Sequence, residues 1–247
     1  MEQTQPGSLT LSGKARPCPD VRVTFWTVLK QALFTVFGLF IRIRVAGNVS
    51  LPLKPGFIVA INHLNGTDGF VVQIGLGTRL WFLTAHKWFV SRFNRFFMTN
   101  VLDAVPVETG NPLGSLPGLR RSLALLEGGG SIGVFPEGEF NRSGNVGVIQ
   151  AGTAYLAVRS GKPILPVIIR NLRLGVKVDE STRSTECWTG GLSLAENLLN
   201  FDIELAVGDE IRPDPEAGSN PEQLRQEVLR INSEMRRQFD RLAEPVM

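Results

Sequence analysis

The sequence contains few of the residue types that covalent cross-links and metal sites require. Its 247 residues include two cysteines, Cys18 and Cys187, and two histidines, His63 and His86. Two cysteines so far apart do not indicate a disulfide framework, and such a low count is typical of a reducing, cytoplasmic setting. The four residues are too widely separated to form a ligand set, so the sequence predicts neither a metal nor another cofactor.

The chain also lacks a large excess of charge of one sign. Its formal net charge is +3 and its pI is about 9.1. This mild basicity favours an anionic membrane surface, whereas nucleic-acid binding needs a denser basic patch, so no nucleic-acid partner is expected. Residues 81–97 interleave aromatic and basic side chains. This stretch keeps a single-stranded nucleic-acid platform as an alternative to a membrane headgroup contact or a core helix.

Only one hydrophobic segment approaches the length of a membrane span. Residues 21–41 are mainly apolar but are interrupted by Lys30 and Gln31 near the middle. Because a lysine at the bilayer centre costs roughly 2.5–3.5 kcal/mol, we expect a helix lying in the membrane interface. A helix packed on the domain's own core and a single tilted span remain alternatives. The aromatic side chains expected to enter the lipid are Phe25, Trp26, Phe34, Phe37 and Phe40.

Short apolar runs alternate with segments of helical period along the rest of the chain. The runs contain β-branched residues, and three of them are followed within two residues by glycine or proline, which is typical of buried strands. This alternation predicts an α/β fold, a single domain with a mixed, mostly parallel sheet flanked by helices. The expected strands are residues 41–45, 57–61, 80–84, 131–135, 163–169 and 201–207, and the expected helices are residues 69–77, 115–127, 153–161 and 220–243.

The first candidate stretch for catalysis is Asn62 to Asp68. His63 follows directly on an expected strand, and Asn65-Gly66-Thr67 is a turn sequence that would bring Asp68 back to it. A carboxylate against one imidazole nitrogen fixes the tautomer, so the other nitrogen can take a proton from a hydroxyl. No serine or cysteine adjoins the pair, which favours a general base over a covalent relay. The alternative is a structural histidine followed by a capped helix.

The second stretch is Phe135-Pro136-Glu137-Gly138, which follows another expected strand. On its own, Glu137 is better interpreted as a solvated acid in a turn. Open α/β sheets place their chemistry at the carboxyl ends of strands, where both stretches lie. The two stretches together therefore favour a functional role for Glu137.

These motifs resemble those of the PlsC-like glycerolipid acyltransferases, the family related to 1-acyl-glycerol-3-phosphate acyltransferase. Asn62-His63 through Asp68 matches the first block of the family, and Val134 to Gly138 matches the third. Lys162 to Val167 looks like the fourth block, and Ala104 to Glu108 looks like a degenerate second block. The resemblance covers about residues 40–212.

The resemblance implies an O-acyltransferase that moves a fatty acyl group from acyl-CoA or acyl-carrier protein to a lysophospholipid hydroxyl, above all that of 1-acyl-glycerol-3-phosphate. It implies a location on the cytoplasmic face of the cell membrane, as a peripheral or monotopic protein. His63 and Asp68 would be catalytic. The residues expected to bind substrate are Asn62, Lys87, Glu137, Gly138 and Arg142.

The sequence departs from the family pattern at positions linked to the acceptor phosphate. Thr109 and Phe140 stand where the family usually has arginine, and Gln150-Ala151 stand where it often has lysine. Arg142 is the expected substitute. The departures keep two alternatives open: acylation of an acceptor without phosphate, such as an amino lipid, glycolipid or pigment, and a non-catalytic lipid-binding protein of the same fold.

The expected organisation has four parts. Residues 1–20 are polar, contain glycines and prolines, and lack the features of a secretory signal, which predicts a mobile tail. Residues 21–41 would form the membrane-associating helix, residues 42–212 the acyltransferase domain, and residues 213–247 a C-terminal helical extension.

Overall fold

A computed structural model of the chain describes residues 28, 32, 35–36, 38–47, 56–89, 91–100, 102–107, 116–141, 146–172 and 202–244. At positions 87, 88, 93, 94, 97 and 116 the description covers the backbone alone. The expected tail at 1–20, most of the segment 21–41, Arg142 and the side chain of Lys87 therefore lie outside the described part of the chain.

The described residues form a seven-stranded sheet. Its strands are β1 (Ile43–Gly47), β2 (Ile58–Ile61), β3 (Trp81–Ala85), β4 (Val105–Val107), β5 (Ile132–Val134), β6 (Ile164–Arg170) and β7 (Ile203–Val207). Their order in the sheet is β1-β7-β6-β2-β5-β3-β4. β6 and β7 are antiparallel, and the five other neighbouring pairs are parallel. The mixed, mostly parallel α/β sheet predicted from the sequence is thereby confirmed.

Helices cover both faces of this sheet. They are α1 (Asp68–Leu76), a short 3-10 helix (His86–Phe89), α2 (Arg92–Asn100), α3 (Leu116–Glu127), α4 (Gly152–Ser160) and α5 (Pro221–Ala243). Alternate residues of β2 face opposite sides: Ile58 packs in a core with α3, α4 and α5, whereas Val59 packs in a second core with α1. The strand that leads to His63 therefore lies between two apolar layers.

The first two strands are consecutive in sequence but not in the sheet. The sequence predicted two strands joined by a loop, and both strands are present. β1 lies at one edge and pairs with β7, while β2 lies in the middle between β6 and β5. β7 and β6 thus separate them, a placement that depends on pairing with segments more than 100 residues later in the chain.

The helix α5 is capped at its start and bonded to the sheet at its far end. The Asn220 side chain accepts a hydrogen bond from the Glu222 N–H, and Pro221 occupies the first turn, which together specify the start of the helix. Ile231, Met235 and Phe239 are fully buried against the core. At the far end, the Arg170 guanidinium of β6 donates to the Leu242 and Glu244 carbonyls. A long helix so anchored is a rigid platform beside the sheet.

Described residues of the segment before β1 are helical and expose apolar side chains. Residues 28, 32, 35–36 and 38–40 have helical backbone, and Val28, Val36, Leu39 and Phe40 are each at least half exposed. Within the described part of the chain, no helix is both long enough and apolar enough to cross a membrane. The expected insertion of Phe25, Trp26, Phe34 and Phe37 lies outside the described residues.

Candidate active site

The two motif stretches leave the sheet side by side. β2 and β5 are parallel neighbours, with Ala60 opposite Val134. Their carboxyl ends therefore lie at the same edge. His63 follows β2 and Phe135 follows β5 within two residues. This adjacency brings together stretches that are far apart in the sequence, at the edge where open α/β sheets carry their sites.

A side-chain hydrogen-bonded turn connects His63 to Asp68. The Asn65 Oδ1 atom accepts from the Thr67 N–H at 2.8 Å and from the Thr67 hydroxyl at 2.6 Å. Asparagine favours such local bonds to its own backbone, which reverse the chain without strain. α1 then begins at Asp68, so that the turn places the carboxylate facing back toward the histidine.

The Asp68 carboxylate contacts the imidazole through one oxygen. Oδ2 lies 2.8 Å from His63 Nδ1 and also accepts from the Leu64 N–H at 2.7 Å and the Asn65 N–H at 2.9 Å. Since an ionised carboxylate only accepts, the shared proton belongs to Nδ1. The neutral imidazole then leaves Nε2 able to accept a proton.

Burying the Asp68 carboxylate costs free energy. Asp68 is fully buried, and in the described part of the chain its Oδ1 atom has no hydrogen-bond partner. Burial raises the pKa of the Asp68 carboxyl above its ordinary value of 3.8, although the contact with His63 and the two backbone N–H groups oppose the rise. The contact with His63 is therefore the main interaction that offsets the burial of this carboxylate.

Two phenylalanine rings enclose the imidazole. The Phe135 ring stacks on it at a centroid distance of 3.8 Å and an angle of 16°, and the Phe140 ring is tilted by 42° at 4.2 Å. Two rings at such distances cannot occupy the same face, so His63 lies between them. The His63 side chain is 17% exposed. The rings restrict rotation of the imidazole, and the contact of Phe140 was not predicted from the sequence.

The Glu137 carboxylate fixes the backbone of His63 through hydrogen bonds. Its Oε1 accepts from the His63 N–H at 3.1 Å, and its Oε2 accepts from Asn141 Nδ2 at 2.8 Å and from the Gly147 N–H at 2.6 Å. The Asn141 N–H in turn donates to the His63 carbonyl at 2.6 Å. The buried carboxylate therefore joins three chain segments around the histidine. A direct contact of Glu137 with an acceptor stays a prediction.

We expect Glu137→Gln to lower both stability and activity. An amide has one accepting oxygen, so at least one of the three N–H donors would face an NH₂ group and lose its partner. An unsatisfied buried donor costs about 1–3 kcal/mol, which chemical denaturation would measure as a lower free energy of unfolding. Glu139→Gln, an exposed carboxylate two residues on, is the control and should change neither quantity. Equal stability of the two variants would contradict the bonding described here.

The other predicted site residues occupy different environments. Asn62 faces β6, where its Oδ1 accepts from the Ile169 N–H at 2.7 Å and its Nδ2 donates to the Ile169 carbonyl at 3.2 Å. Both ends of its amide are therefore engaged with the sheet, as a backbone group would be. Gly138 is exposed at φ +75°, and its N–H donates to the Phe135 carbonyl, which closes the turn after β5. Substrate contacts of Lys87 and Arg142 stay predictions.

Asn141 and Gly147 contribute to the site but were not identified from the sequence. Neither belongs to a motif, and their importance depends on the reach of the Glu137 side chain. The glycine offers the one weak signal: a Cβ atom at position 147 would lie 2.8 Å from Glu137 Oε2. Only a residue without a side chain lets the backbone approach the carboxylate this closely.

Comparisons with known proteins identify the family of this chain. A family model described as acyltransferase matches residues 42–170. A 1-acyl-sn-glycerol-3-phosphate acyltransferase of Borreliella burgdorferi is 27% identical over 131 residues, 53% of this chain and 52% of the relative. The chloroplastic 1-acyl-sn-glycerol-3-phosphate acyltransferase LPAT1 of Arabidopsis thaliana is 26% identical over 132 residues, 53% of this chain and 36% of the relative. The chain thus spans about half or less of the length of these relatives.

A solved structure shares the fold. The crystal structure of the 1-acyl-sn-glycerophosphate acyltransferase PlsC from Thermotoga maritima superposes with a TM-score of 0.55 at 20% sequence identity, over 88% of this chain and 83% of the other. The family match extends over more than half of the chain and includes both motif stretches. The chain therefore belongs to the acyltransferase family.

Proposed function

We propose that this protein transfers a fatty acyl group from acyl-CoA or acyl-carrier protein to the hydroxyl of a lysophospholipid. The preferred acceptor is 1-acyl-glycerol-3-phosphate, which would give phosphatidic acid. The observation that carries the proposal is the contact between His63 Nδ1 and Asp68 Oδ2 at the carboxyl edge of the sheet. Membership of the acyltransferase family supports the reaction type, and the names of the relatives support the acceptor.

The proposed reaction is a direct transfer. His63 Nε2 takes the proton of the acceptor hydroxyl, and the oxygen bonds to the thioester carbonyl carbon. The resulting tetrahedral intermediate expels the thiolate as the carbon–sulfur bond breaks, and the imidazolium returns the proton to the leaving sulfur. Asp68 stabilises the imidazolium between the two proton transfers. Asn62 and Glu137 act by positioning the histidine.

The surroundings of the imidazole favour this route over a covalent acyl-enzyme. The contacts described for the ring are with Asp68, Phe135 and Phe140. None of these side chains carries a hydroxyl or a thiol, so none of them can serve as the nucleophile that a relay requires. An acceptor hydroxyl therefore takes the place that a serine occupies in a relay.

A donor and acceptor panel tests the proposal. The purified protein is incubated in vesicles with acyl-CoA or acylated carrier protein and with lysophosphatidic acid, and products are identified by mass spectrometry. We expect phosphatidic acid to form only when both the enzyme and an acyl donor are present. Absence of acylated product from every donor and acceptor pair would reject the proposed activity.

A second candidate is transfer to an acceptor without phosphate. The observation that favours it is the Phe140 ring, 44% exposed and 4.2 Å from the imidazole centroid, at a position where the family pattern has arginine. An apolar ring offers no charge-assisted hydrogen bond to an anion. Uncharged lysolipids in the same panel distinguish the two candidates. Acylation rates on them equal to or above the rate on lysophosphatidic acid would favour this second candidate.

We further propose that the helix before β1 lies on the cytoplasmic face of the cell membrane, as part of a peripheral or monotopic protein. Leu39 and Phe40 are 76% and 51% exposed, which is costly in water and favourable in lipid. Each such side chain is worth about 1.5–3 kcal/mol when buried in an apolar phase.

Replacing both Leu39 and Phe40 with serine should therefore weaken vesicle binding by about tenfold or more. Flotation with anionic phospholipid vesicles measures the bound fraction. Leu229→Ser is the matched control, because Leu229 is an exposed leucine on α5. Unchanged flotation with a lowered Tm would instead indicate a helix packed on the protein's own core.

A further inference from the structure

We propose that Arg236, on the C-terminal helix α5, is a positioning residue of the candidate active site. It acts by fixing the segment that carries Gly147, and through this segment the Glu137 carboxylate and His63. The inference rests on the proposed function, because it assigns a role in the same site. Arg236 lies beyond residues 42–170, which the family model matches.

The guanidinium of Arg236 holds two consecutive carbonyls. Nη1 donates to the Val146 carbonyl at 2.6 Å and Nη2 donates to the Gly147 carbonyl at 2.8 Å. Arginine presents its donors in a rigid planar fork, so a two-carbonyl contact fixes both the position and the orientation of the segment. Asp240, one turn further along the helix, lies 3.8 Å from Nη1 and orients the guanidinium from the other side.

The part of α5 that carries Arg236 is itself rigid. Arg236 directly follows Met235, which is fully buried, and Phe239 on the same helix is also fully buried. Buried side chains of this size fix the helix against the core, since interiors are close-packed. The guanidinium therefore transmits the position of α5 to residues 146–147, which lie about 90 positions earlier in the sequence.

The held segment contacts the Glu137 carboxylate. The Gly147 N–H donates to Glu137 Oε2 at 2.6 Å. A Cβ atom added to Gly147 would lie 2.8 Å from that oxygen and 3.1 Å from Asn141 Nδ2. The Gly147 peptide is therefore in close contact with the Glu137 carboxylate. Even a small shift of residues 146–147 would change the length of this hydrogen bond.

The carboxylate in turn fixes the backbone of His63. Glu137 Oε1 accepts from the His63 N–H, and Asn141, bonded to Oε2, donates its own N–H to the His63 carbonyl. Both peptide groups that flank the histidine are thus set by one carboxylate. Imidazole placement within tenths of an ångström decides the rate of proton transfer, so loss of Arg236 should reduce kcat more than it raises KM.

Arg236→Gln tests this inference against Arg237→Gln. The control removes the same charge from the neighbouring position, where the side chain is 78% exposed and pairs with Glu234 of its own helix. We expect Arg236→Gln to lower kcat by about tenfold or more with KM within about twofold. Arg236→Lys, which keeps the charge but has a single ammonium, should be intermediate, and Arg237→Gln should match the wild type.

Imidazole NMR supplies a readout that does not need turnover. The chain has two histidines, so the ring signals of His63 and His86 can be assigned by substituting each in turn. We expect Arg236→Gln to shift the ring signals of His63 while those of His86 stay in place, and Arg237→Gln to shift neither.

The outcomes separate this inference from the proposed function. Wild-type kcat and an unshifted His63 signal in Arg236→Gln would overturn the positioning role, even if the wild-type protein transfers acyl groups. A loss of kcat that merely follows loss of folded protein, judged by Tm, would overturn it as well. If the wild-type protein transfers no acyl group, the proposed function fails, and the NMR shift alone decides whether Arg236 positions His63.

Discussion

His63→Ala is expected to lower kcat/KM for acyl transfer by roughly 10²–10⁴, the usual contribution of a general base. The substitution removes the imidazole but keeps the backbone N–H that donates to Glu137 and the carbonyl that accepts from Asn141. The bonds around Glu137 therefore stay in place, whereas the buried Asp68 carboxylate loses its imidazole partner, so the rate is compared per folded molecule. Steady-state rates with saturating donor, measured beside circular dichroism of the same samples, give the result.

The matched control for this variant is His86→Ala. His86 is the other histidine of the chain, lies in the short helix after β3, and stacks near Phe89 at 6.5 Å. We expect it to retain at least half of the wild-type rate, since the proposed mechanism does not use it. Unchanged product formation by His63→Ala would contradict the assignment of His63 as the general base. If lipid binding also persists in that case, the non-catalytic lipid-binding alternative is favoured.

Asp68→Asn should separate activity from stability. The amide oxygen can accept from the Leu64 and Asn65 N–H groups and from His63 Nδ1, as Oδ2 does. A neutral amide does not stabilise the imidazolium, so kcat should fall by roughly 10²–10⁴. The same change removes a buried charge with an unpartnered oxygen. We therefore expect a Tm equal to or above that of the wild type.

The effect on stability should depend on pH in a defined direction. Because burial raises the pKa of Asp68 in the folded protein, the folded state binds the proton more tightly than the unfolded chain. The contribution of Asp68 to stability is then greatest below the ordinary value of 3.8 and is lost as pH rises through the raised pKa. The advantage of Asp68→Asn over the wild type in urea unfolding should grow across this range. An advantage that shrinks with rising pH would reverse the assigned pKa direction.

Asp103→Asn is the control for removal of a buried acid. Asp103 accepts two hydrogen bonds from the Arg79 guanidinium, at 2.9 and 2.8 Å, away from the His63 motif. Loss of one partner from a buried pair destabilises the fold. This variant should therefore show the opposite result, a lower Tm with kcat per folded molecule unchanged.

The His63 and Asp68 contact was predictable because its determinants are local. Five residues separate the two side chains, and Asn65 and Thr67 carry the turn chemistry within that interval. The proximity of Glu137 was also accessible, because both motifs follow strands of a parallel sheet. Turn preference and strand polarity are properties that a single sequence carries.

Features that depend on register or on distant segments were not predictable. The sequence did not indicate that the Asn62 amide pairs with Ile169, which depends on the register between β2 and β6; its expected contact with substrate stays a prediction. The sequence indicated the strand β1 but not its partner, and the structure pairs it with β7. The contact of Arg236 with residue 146 joins positions 90 apart, and no sequence pattern marks either of them.

The two rings around His63 also constrain how reactants reach it. Since Phe135 and Phe140 cover its faces, a hydroxyl group can approach the imidazole only along its rim, in the plane of the ring. Bulk solvent meets the same restriction. In the proposed transfer, a water molecule activated at this imidazole would hydrolyse the thioester, and we expect the two rings to limit that side reaction.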